Sequence, residues 1–185
     1  MIPDIIKDAE HKMVGAAEHA REEFAAIRTG RAHPAMFSKL LVDYYGAPTP
    51  LQQLATFQVP EARTVLITPF DRGAMHGIEK AIRDSDLGVN PANDGNLIRL
   101  VLPQLTEERR REYIKVARHK AEEARVAVRN IRRHGIEAVH KLLKDKAVGE
   151  DDARGAEKQF DALTKKHVEQ IDELLKAKEA ELMEV

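Results

Sequence analysis

Arginine recurs at every seventh position of a segment with helical periodicity, and its chemistry suits phosphate binding. The four residues are Arg111, Arg118, Arg125 and Arg132. Residues seven apart lie on nearly the same side of an α-helix, so these side chains form a line along one face. The planar guanidinium presents paired N–H donors that match phosphate oxygens and nucleobase edges. The line therefore indicates a candidate surface for the backbone of RNA.

The same spacing also suits salt bridges between helices, because coiled coils place such charges beside their apolar seam. Acids on the other predicted helices could supply the partners, among them Glu18, Glu22, Glu157 and Glu169. Spacing alone does not decide between a salt bridge and an external anion for any single arginine. Arg118 and Arg125 are among the arginines for which both interpretations stay open at this point.

Two local clusters favour an external anion for part of the surface. Arg129, Arg132 and Arg133 fall within about one helical turn and outnumber the nearby acids. Arg109, Arg110 and Arg111 stand together at the predicted helix start, where the helix dipole disfavours cations. Because the helix is poor in aromatic residues, it would recognise the backbone and the shape of folded RNA and would not stack on single-stranded bases.

Enzymatic and metal chemistry have little support. The chain has no Gly-rich phosphate loop, no GxSxG motif and no cysteine nucleophile. His134, Glu137 and His140 form HxxExxH, which is not a zinc-protease spacing and would spread its ligands around a helix. His167 falls on an apolar seam, where a packed, hydrogen-bonded histidine is expected. We predict no catalytic residue, no metal and no cofactor.

Three long helices are needed to position the arginines. The first is predicted over Pro3–Arg28, the cationic one over Thr106–Lys146, and the last from Glu150 to about Met183. The cationic helix has 13 basic and 7 acidic residues, whereas Gly149–Val185 has 6 and 11. Ala147–Gly149 is a short connection, so the last two helices should lie antiparallel.

The segment between the first two long helices has a different pattern. Residues 38–45, 63–68 and 97–102 are rich in Val, Ile, Leu and Tyr and are predicted strands. Gly73–Asp84 is a predicted short helix. Residues 46–50 and 88–95 carry the Gly, Pro and Asn signals of turns or loops. This gives a small β/α/β block inserted between helices.

Bulk composition is compatible with a cytoplasmic protein. The 185 residues carry a net charge of −1 and no cysteine, which suits a reducing compartment. The first residues lack the basic start and long apolar core of a signal peptide. No apolar run is long enough to cross a membrane.

Several long segments closely resemble the bacterial ribosome recycling factors. They are IRTGRAHP at 27–34, DYYGAPTPLQQLA at 43–55, EKAIRDSDLGVNP at 79–91, PQLTEERR at 103–110, EARVAVRNIRR at 123–133 and KEAELMEV at 178–185. The resemblance covers essentially the whole chain. It implies an α+β fold, L-shaped overall, in which an elongated antiparallel three-helix bundle carries an inserted small β/α/β domain.

The resemblance also implies boundaries for these domains. The bundle comprises residues 1–29 and 105–185, and the inserted domain comprises residues 30–104. Hinges are expected near 29–31 and 103–106, at Thr29, Gly30, Arg31, Pro103, Gln104, Leu105 and Thr106.

The implied function is that of a translation factor and not an enzyme. With elongation factor G, which hydrolyses GTP, such factors split the post-termination ribosome into subunits and release messenger and transfer RNA. The family's contacts with large-subunit ribosomal RNA map onto Arg110, Arg129 and Arg132, and we add Arg133. We expect a cytoplasmic monomer that binds neither DNA nor membranes. The alternative is a helical-bundle adaptor or scaffold for protein partners.

Overall fold

The chain folds into long helices and a small set of β-strands, as predicted. The structure is a computed structural model and describes residues 1–184. The helices are α1 (Ile2–Ala25), α2 (Met75–Arg83), α3 (Glu107–Lys144) and α4 (Glu150–Met183). The strands are β1 (Leu41–Tyr44), β2 (Ala47–Pro50), β3 (Ala55–Glu61), β4 (Thr64–Pro69), β5 (Ala92–Asn93) and β6 (Ile98–Val101). Short 3₁₀ turns occur at Pro34–Phe37, Leu51–Gln53 and Arg72–Ala74.

The chain divides into two compact units. One consists of Met1–Phe24 with Lys115–Glu179, and the other consists of Ala25–Ile114 with the end of the chain from Ala180. The first contains most of the three long helices and the second contains all six strands. The domain boundaries and hinge positions implied by the resemblance stay predictions.

The helical unit is held by the alternating three- and four-residue seams that the sequence displays. Met13 and Ala20 of α1, Ala121 and Val128 of α3, and Ile171 of α4 are all buried. On α3 the three- and four-residue spacing that passes through Ala121, Val128 and Gly135 leads to Ala138, but Val139 is the fully buried residue and Ala138 is only partly buried, so the seam shifts by one position. The shift is expected because seven residues fall short of two full turns of an α-helix.

Of the glycines, Gly135 has the least free space around it, at a contact between α3 and α4. A Cβ atom added at Gly135 would lie 2.5 Å from the Cε1 and Cζ atoms of Phe160. Phe160 is fully buried and packs in a cluster with Ala9 and Val139. The glycine therefore gives the aromatic ring its space and helps to set the register between the two helices.

The connection between α3 and α4 begins with a left-handed residue that closes the helix. Lys146 has a φ of 59°. Its N–H donates to the carbonyl of Leu143, and the N–H of Ala147 donates to the carbonyl of Leu142. This pair of bonds is a Schellman motif, which usually places glycine at the left-handed position.

The strand-containing unit has an antiparallel four-stranded sheet in the order β3-β4-β6-β5 and a separate hairpin of β1 and β2. One face of the sheet packs on α2. That core includes Val65 and Ile67 of β4, Leu100 of β6, and Ile78 and Ile82 of α2, and all five are fully buried.

Three strands of this unit were not predicted. Ala47–Pro50 was interpreted as a turn because of its two prolines, but it forms β2, which has one neighbouring strand only. Proline is tolerated there because an edge strand leaves half of its N–H groups without a partner strand. β3, which contains Pro60, is also an edge strand. The two residues of β5 lie inside the predicted 88–95 loop.

Asp71 ties the hairpin to the turn before α2. Its carboxylate accepts hydrogen bonds from the Gly73 N–H at 2.8 Å and from the hydroxyl groups of Tyr44 and Tyr45 at 2.8 and 3.2 Å. The Gly73 bond is the main cause that lowers the pKa of Asp71, followed by the Tyr44 bond. The carboxylate stays ionised and fixes two loops of this unit.

Candidate nucleic-acid interface

Three of the four arginines in the line on α3 contact α4, whereas Arg111 pairs with Glu107 of its own helix at 2.7 Å. Arg118 Nε donates to Glu179 Oε1 at 2.7 Å, and Arg125 Nε donates to Asp172 Oδ1 at 2.7 Å. Moving seven residues toward the C-terminal end of α3 corresponds to moving seven residues toward the N-terminal end of α4. The two helices are therefore antiparallel. The salt-bridge interpretation of Arg118 and Arg125 is confirmed.

The acids in these pairs are not the four suggested from the sequence, and that suggestion was wrong. Glu18 pairs with Arg21 and Glu157 pairs with His140. Glu169 lies 4.0 Å from Lys165. Composition identifies acids on the partner helix, but only the packing register decides which acid meets which arginine.

Arg125 is the most strongly neutralised of these arginines. Its side chain is 20% exposed and contacts both Asp172 at 2.7 Å and Glu122 at 3.0 Å. Burial by itself lowers the pKa of Arg125, but the hydrogen bonds to Asp172 and Glu122 outweigh it, and the pKa is raised above its ordinary value. Such an arginine is a structural cation of the bundle.

Arg132 is also ion-paired, to Asp161 Oδ1 at 2.7 Å. Its side chain is 39% exposed and that of Asp161 is 60% exposed, so solvent screens the pair. The spacing of the other two pairs would place residue 165 of α4 opposite Arg132. Asp161 lies four residues before that position. Arg132 therefore keeps a contact with α4 while part of its guanidinium remains accessible.

Arg129 and Arg133 lie on either side of Arg132 in sequence and point further from the seam. Arg129 is 56% exposed, and its nearest carboxylate is Glu122 at 3.6 Å. Arg133 is exposed, and within residues 1–184 no acid lies at ion-pair distance from it. The structure thus brings Arg129, Arg132 and Arg133 together on one turn of α3 that carries excess positive charge.

Arg110 belongs to the strand-containing unit and is half-buried. Its Nε atom is buried and has no hydrogen-bond partner among the described residues. It lies in the first turn of α3, where the Thr106 hydroxyl caps the helix by accepting from the Arg109 N–H at 3.1 Å. Thr106, a predicted hinge residue, therefore also fixes the start of the cationic helix.

The other predicted hinge residues lie in short connections that are tied by hydrogen bonds. The Thr29 hydroxyl is 3.3 Å from both the N–H and the carbonyl oxygen of Arg31. Gly30 is partly buried and has open space around its Cα. In the second connection Pro103 and Gln104 are exposed, whereas Leu105 is buried.

Arg28 is a residue that the sequence-based prediction missed. It is 5% exposed. Its guanidinium donates to the carbonyl of Leu87 at 2.9 Å and to the carbonyl of Pro103. Burial is the main cause that lowers the pKa of Arg28. The interaction with Tyr113 partly offsets this lowering, and the charge of Arg109 adds to it. Arg28 thus links the connection after α1 to the connection before α3. Nothing in the sequence indicated this role, because Arg28 is only the last residue of the first predicted helix.

His140 and His167 contact neighbouring residues of the bundle. His167 is buried, and its Nδ1 donates to the carbonyl of Leu163 at 2.9 Å, as predicted for a packed histidine. His140 Nε2 lies 2.6 Å from Glu157 Oε1. In residues 1–184 no three His, Asp or Glu side chains are grouped to hold a metal ion. None of the helices described is both long and apolar enough to span a membrane.

Comparison with known proteins decides the family. The family model described as ribosome recycling factor matches residues 20–183. The chain belongs to the ribosome recycling factor family. It is 69% identical over 182 residues to the ribosome-recycling factor of Cutibacterium acnes, covering 98% of this chain and 99% of that protein. It is 65% identical to that of Nocardioides sp. over the full length of both chains.

Solved ribosome recycling factor structures share the fold. A solution structure of a ribosome recycling factor has a TM-score of 0.76 and 42% identity, covering 100% of this chain and 98% of that one. A second match has a TM-score of 0.69 and 40% identity over the full length of both chains. It comes from models of the T. thermophilus ribosome recycling factor and the E. coli elongation factor G bound to the E. coli post-termination complex.

Proposed function

We propose that this ribosome recycling factor binds the post-termination ribosome through large-subunit ribosomal RNA, using Arg110, Arg129, Arg132 and Arg133. Together with elongation factor G, which hydrolyses GTP, it splits the ribosome into subunits and releases messenger and transfer RNA. The models of a relative with elongation factor G on the post-termination complex support both partners. The chain acts in the cytoplasm as a non-catalytic factor.

The observation that carries the RNA-binding part is the uneven neutralisation of the arginines on α3. Arg118 and Arg125 are each paired with carboxylates at 2.7 Å. Arg129 has only a carboxylate at 3.6 Å, and Arg133 has none at ion-pair distance in the described chain. An arginine with free N–H donors can form charge-assisted, two-pronged hydrogen bonds with phosphate. A phosphate backbone fits this turn of α3 better than an apolar protein groove does.

The mechanical part assigns force generation to the partner. The sequence has no nucleotide-binding motif, so elongation factor G supplies the energy of GTP hydrolysis. In this proposal elongation factor G pushes on the domain of residues 30–104 or on the hinges at 29–31 and 103–106. The bundle of residues 1–29 and 105–185 then transmits the push to the contacts between the subunits.

A subunit-splitting assay on post-termination ribosomes, with cognate elongation factor G and GTP, tests the proposal. Wild type should split ribosomes, and Arg132→Ala should do so roughly ten-fold more slowly at sub-saturating factor, because one phosphate contact is lost. Arg118→Ala is the matched control, since it removes the same side chain and a carboxylate contact of the same 2.7 Å length, but from the stretch that faces the acid-rich part of α4. No splitting by wild type, or equal rates for the two variants, would contradict the proposal. Factor binding that is insensitive to salt would favour a protein-binding adaptor instead.

A further inference from the structure

The ladder of ion pairs between α3 and α4 has a lysine at one of its register positions. Arg118 pairs with Glu179, and Arg125 pairs with Asp172, seven residues on and seven residues back. The next step of the same register places Lys165 opposite Arg132, although the carboxylate that Arg132 contacts is that of Asp161. The register itself does not end there, because His140 and Glu157 meet eight residues further along each helix, at 2.6 Å. The lysine therefore lies at a ladder position where the other rungs have an acid.

Arg132 and Lys165 each contact a different acid of α4, and only the contact of Lys165 is long. Arg132 reaches one turn along α4 to Asp161, and Lys165 lies 4.0 Å from Glu169. The Lys165 and Glu169 side chains are 78% and 63% exposed. Exposed pairs at this separation contribute little to stability, so the bundle gains almost nothing from a lysine here. An acid at position 165 would serve the bundle better.

The charge of α4 changes along its length in step with α3. Residues 155–168 of α4 have three lysines and two acids, whereas residues 169–184 have two lysines and six acids. The acid-rich part includes the partners of Arg118 and Arg125. The lysine-bearing part lies opposite the turn that contains Arg129, Arg132 and Arg133. The excess positive charge therefore extends across both helices.

Helix geometry places Lys165 on the stripe of α4 that borders α3. Asp161 is four residues before it and Asp172 is seven residues after it, and residues at these spacings share one face. Both acids contact arginines of α3. The Lys165 ammonium is thus on the same side of the helix pair as the accessible part of Arg132.

We propose that Lys165 is a further phosphate-binding residue, which extends the ribosomal-RNA surface from α3 onto α4. The inference rests on the proposed function, because it assumes that Arg129 and Arg132 bind RNA. An RNA phosphate beside the two helices supplies Lys165 with a negative charge closer than that of Glu169, which is 4.0 Å away. Lysine suits this role as a compact point charge with three donors, beside arginines that provide directional contacts.

Binding of purified large ribosomal subunits, measured across a salt series, tests the role of Lys165. Lys165→Met should weaken binding about five-fold at near-physiological salt and lower the slope of log affinity against log salt by about 1. Lys176→Met is the matched control. Lys176 lies eleven residues further on the same stripe, about 16 Å along the helix at 1.5 Å per residue, in the acid-rich part of α4. Lys176→Met should leave the affinity and the salt slope unchanged.

Arg132→Ala, measured in parallel, separates the role of Lys165 from RNA binding by α3. A loss of affinity with Arg132→Ala and Lys165→Met, but not with Lys176→Met, supports the role of Lys165. A loss with Arg132→Ala alone overturns the role of Lys165 and leaves the proposed function standing. No loss with any of the three variants overturns the proposed function itself. Equal losses with both lysine variants would indicate a general effect of charge and also overturn the assignment.

Discussion

Two stretches of the same helix pair use arginine in different ways. Around Arg118 and Arg125, the arginines of α3 meet Glu179 and Asp172 of α4 at 2.7 Å. Around Arg132, the opposing register position is a lysine and the acid that Arg132 contacts at 2.7 Å, Asp161, lies one turn away from that position. The neighbouring Arg133 has no acid at ion-pair distance in the part of the chain that is described. Residue type and spacing are the same in both stretches, so the partner helix sets the difference.

The comparison teaches that a charged line on a helix is informative only together with the face it meets. Where α4 supplies carboxylates, arginine is neutralised inside the protein and contributes to the association of the helices. Where α4 supplies lysine, the positive potential is left for an external anion. Protein interactions that disagree locally with the surrounding pattern are often found at functional sites.

The largest effect is expected when the stretch around Arg132 loses two arginines. The double variant Arg129→Ala/Arg132→Ala should bind large subunits about 100-fold more weakly at near-physiological salt, since two charge-assisted phosphate contacts are removed. Its thermal unfolding should stay close to that of wild type, because both side chains are substantially exposed. A sedimentation binding assay and circular dichroism melting measure the two quantities. A large fall in melting temperature with unchanged affinity would erase the distinction between the stretches.

The paired stretch should respond in the opposite way. Arg125→Ala removes a mostly buried guanidinium that contacts Asp172 and Glu122 and leaves both acids without it. The free energy of unfolding, from urea denaturation, should fall by about 1 kcal/mol. Affinity for large subunits should change by less than about two-fold, because this arginine offers few free donors. A ten-fold loss of affinity in a folded Arg125→Ala protein would show that both stretches bind RNA.

The smallest effect is expected from the acid that competes for Arg132. Asp161→Asn removes the negative charge 2.7 Å from the guanidinium while keeping the size of the side chain. Affinity for large subunits should rise about three-fold, which corresponds to the sub-kcal/mol value of an exposed ion pair. Asp151→Asn, the same change at the exposed start of α4, is the control and should have no effect. Weaker binding by Asp161→Asn would mean that Asp161 assists the contact with RNA.

The long helices were predictable from sequence because their seams are long and regular. The last helix was predicted over Glu150 to about Met183 and forms over that range. The strand-containing unit was less predictable, since β2 and β3 contain prolines that are acceptable only in edge strands. Whether a strand lies at an edge depends on the whole sheet, which local patterns do not specify.

The candidate site was predictable as a surplus of arginine but not as a set of pairs. The partners Glu179, Asp172 and Asp161 follow from the register of α3 against α4. Packing such as that of Phe160 against Gly135 helps to set this register, and a single sequence does not reveal it. The Lys165 rung became visible only once the neighbouring pairs were known. The role of Arg28 in joining two connections depended in the same way on contacts distant in sequence.

The central claim is that the Arg129–Arg133 stretch binds ribosomal RNA and the Arg118–Arg125 stretch does not. The most direct test compares the salt dependence of large-subunit binding for two double variants that lose equal charge, Arg129→Ala/Arg132→Ala and Arg118→Ala/Arg125→Ala. The first should lower the slope of log affinity against log salt by about 2, roughly one per lost phosphate contact, and the second should leave it unchanged. Equal slopes for the two folded variants would contradict the claim.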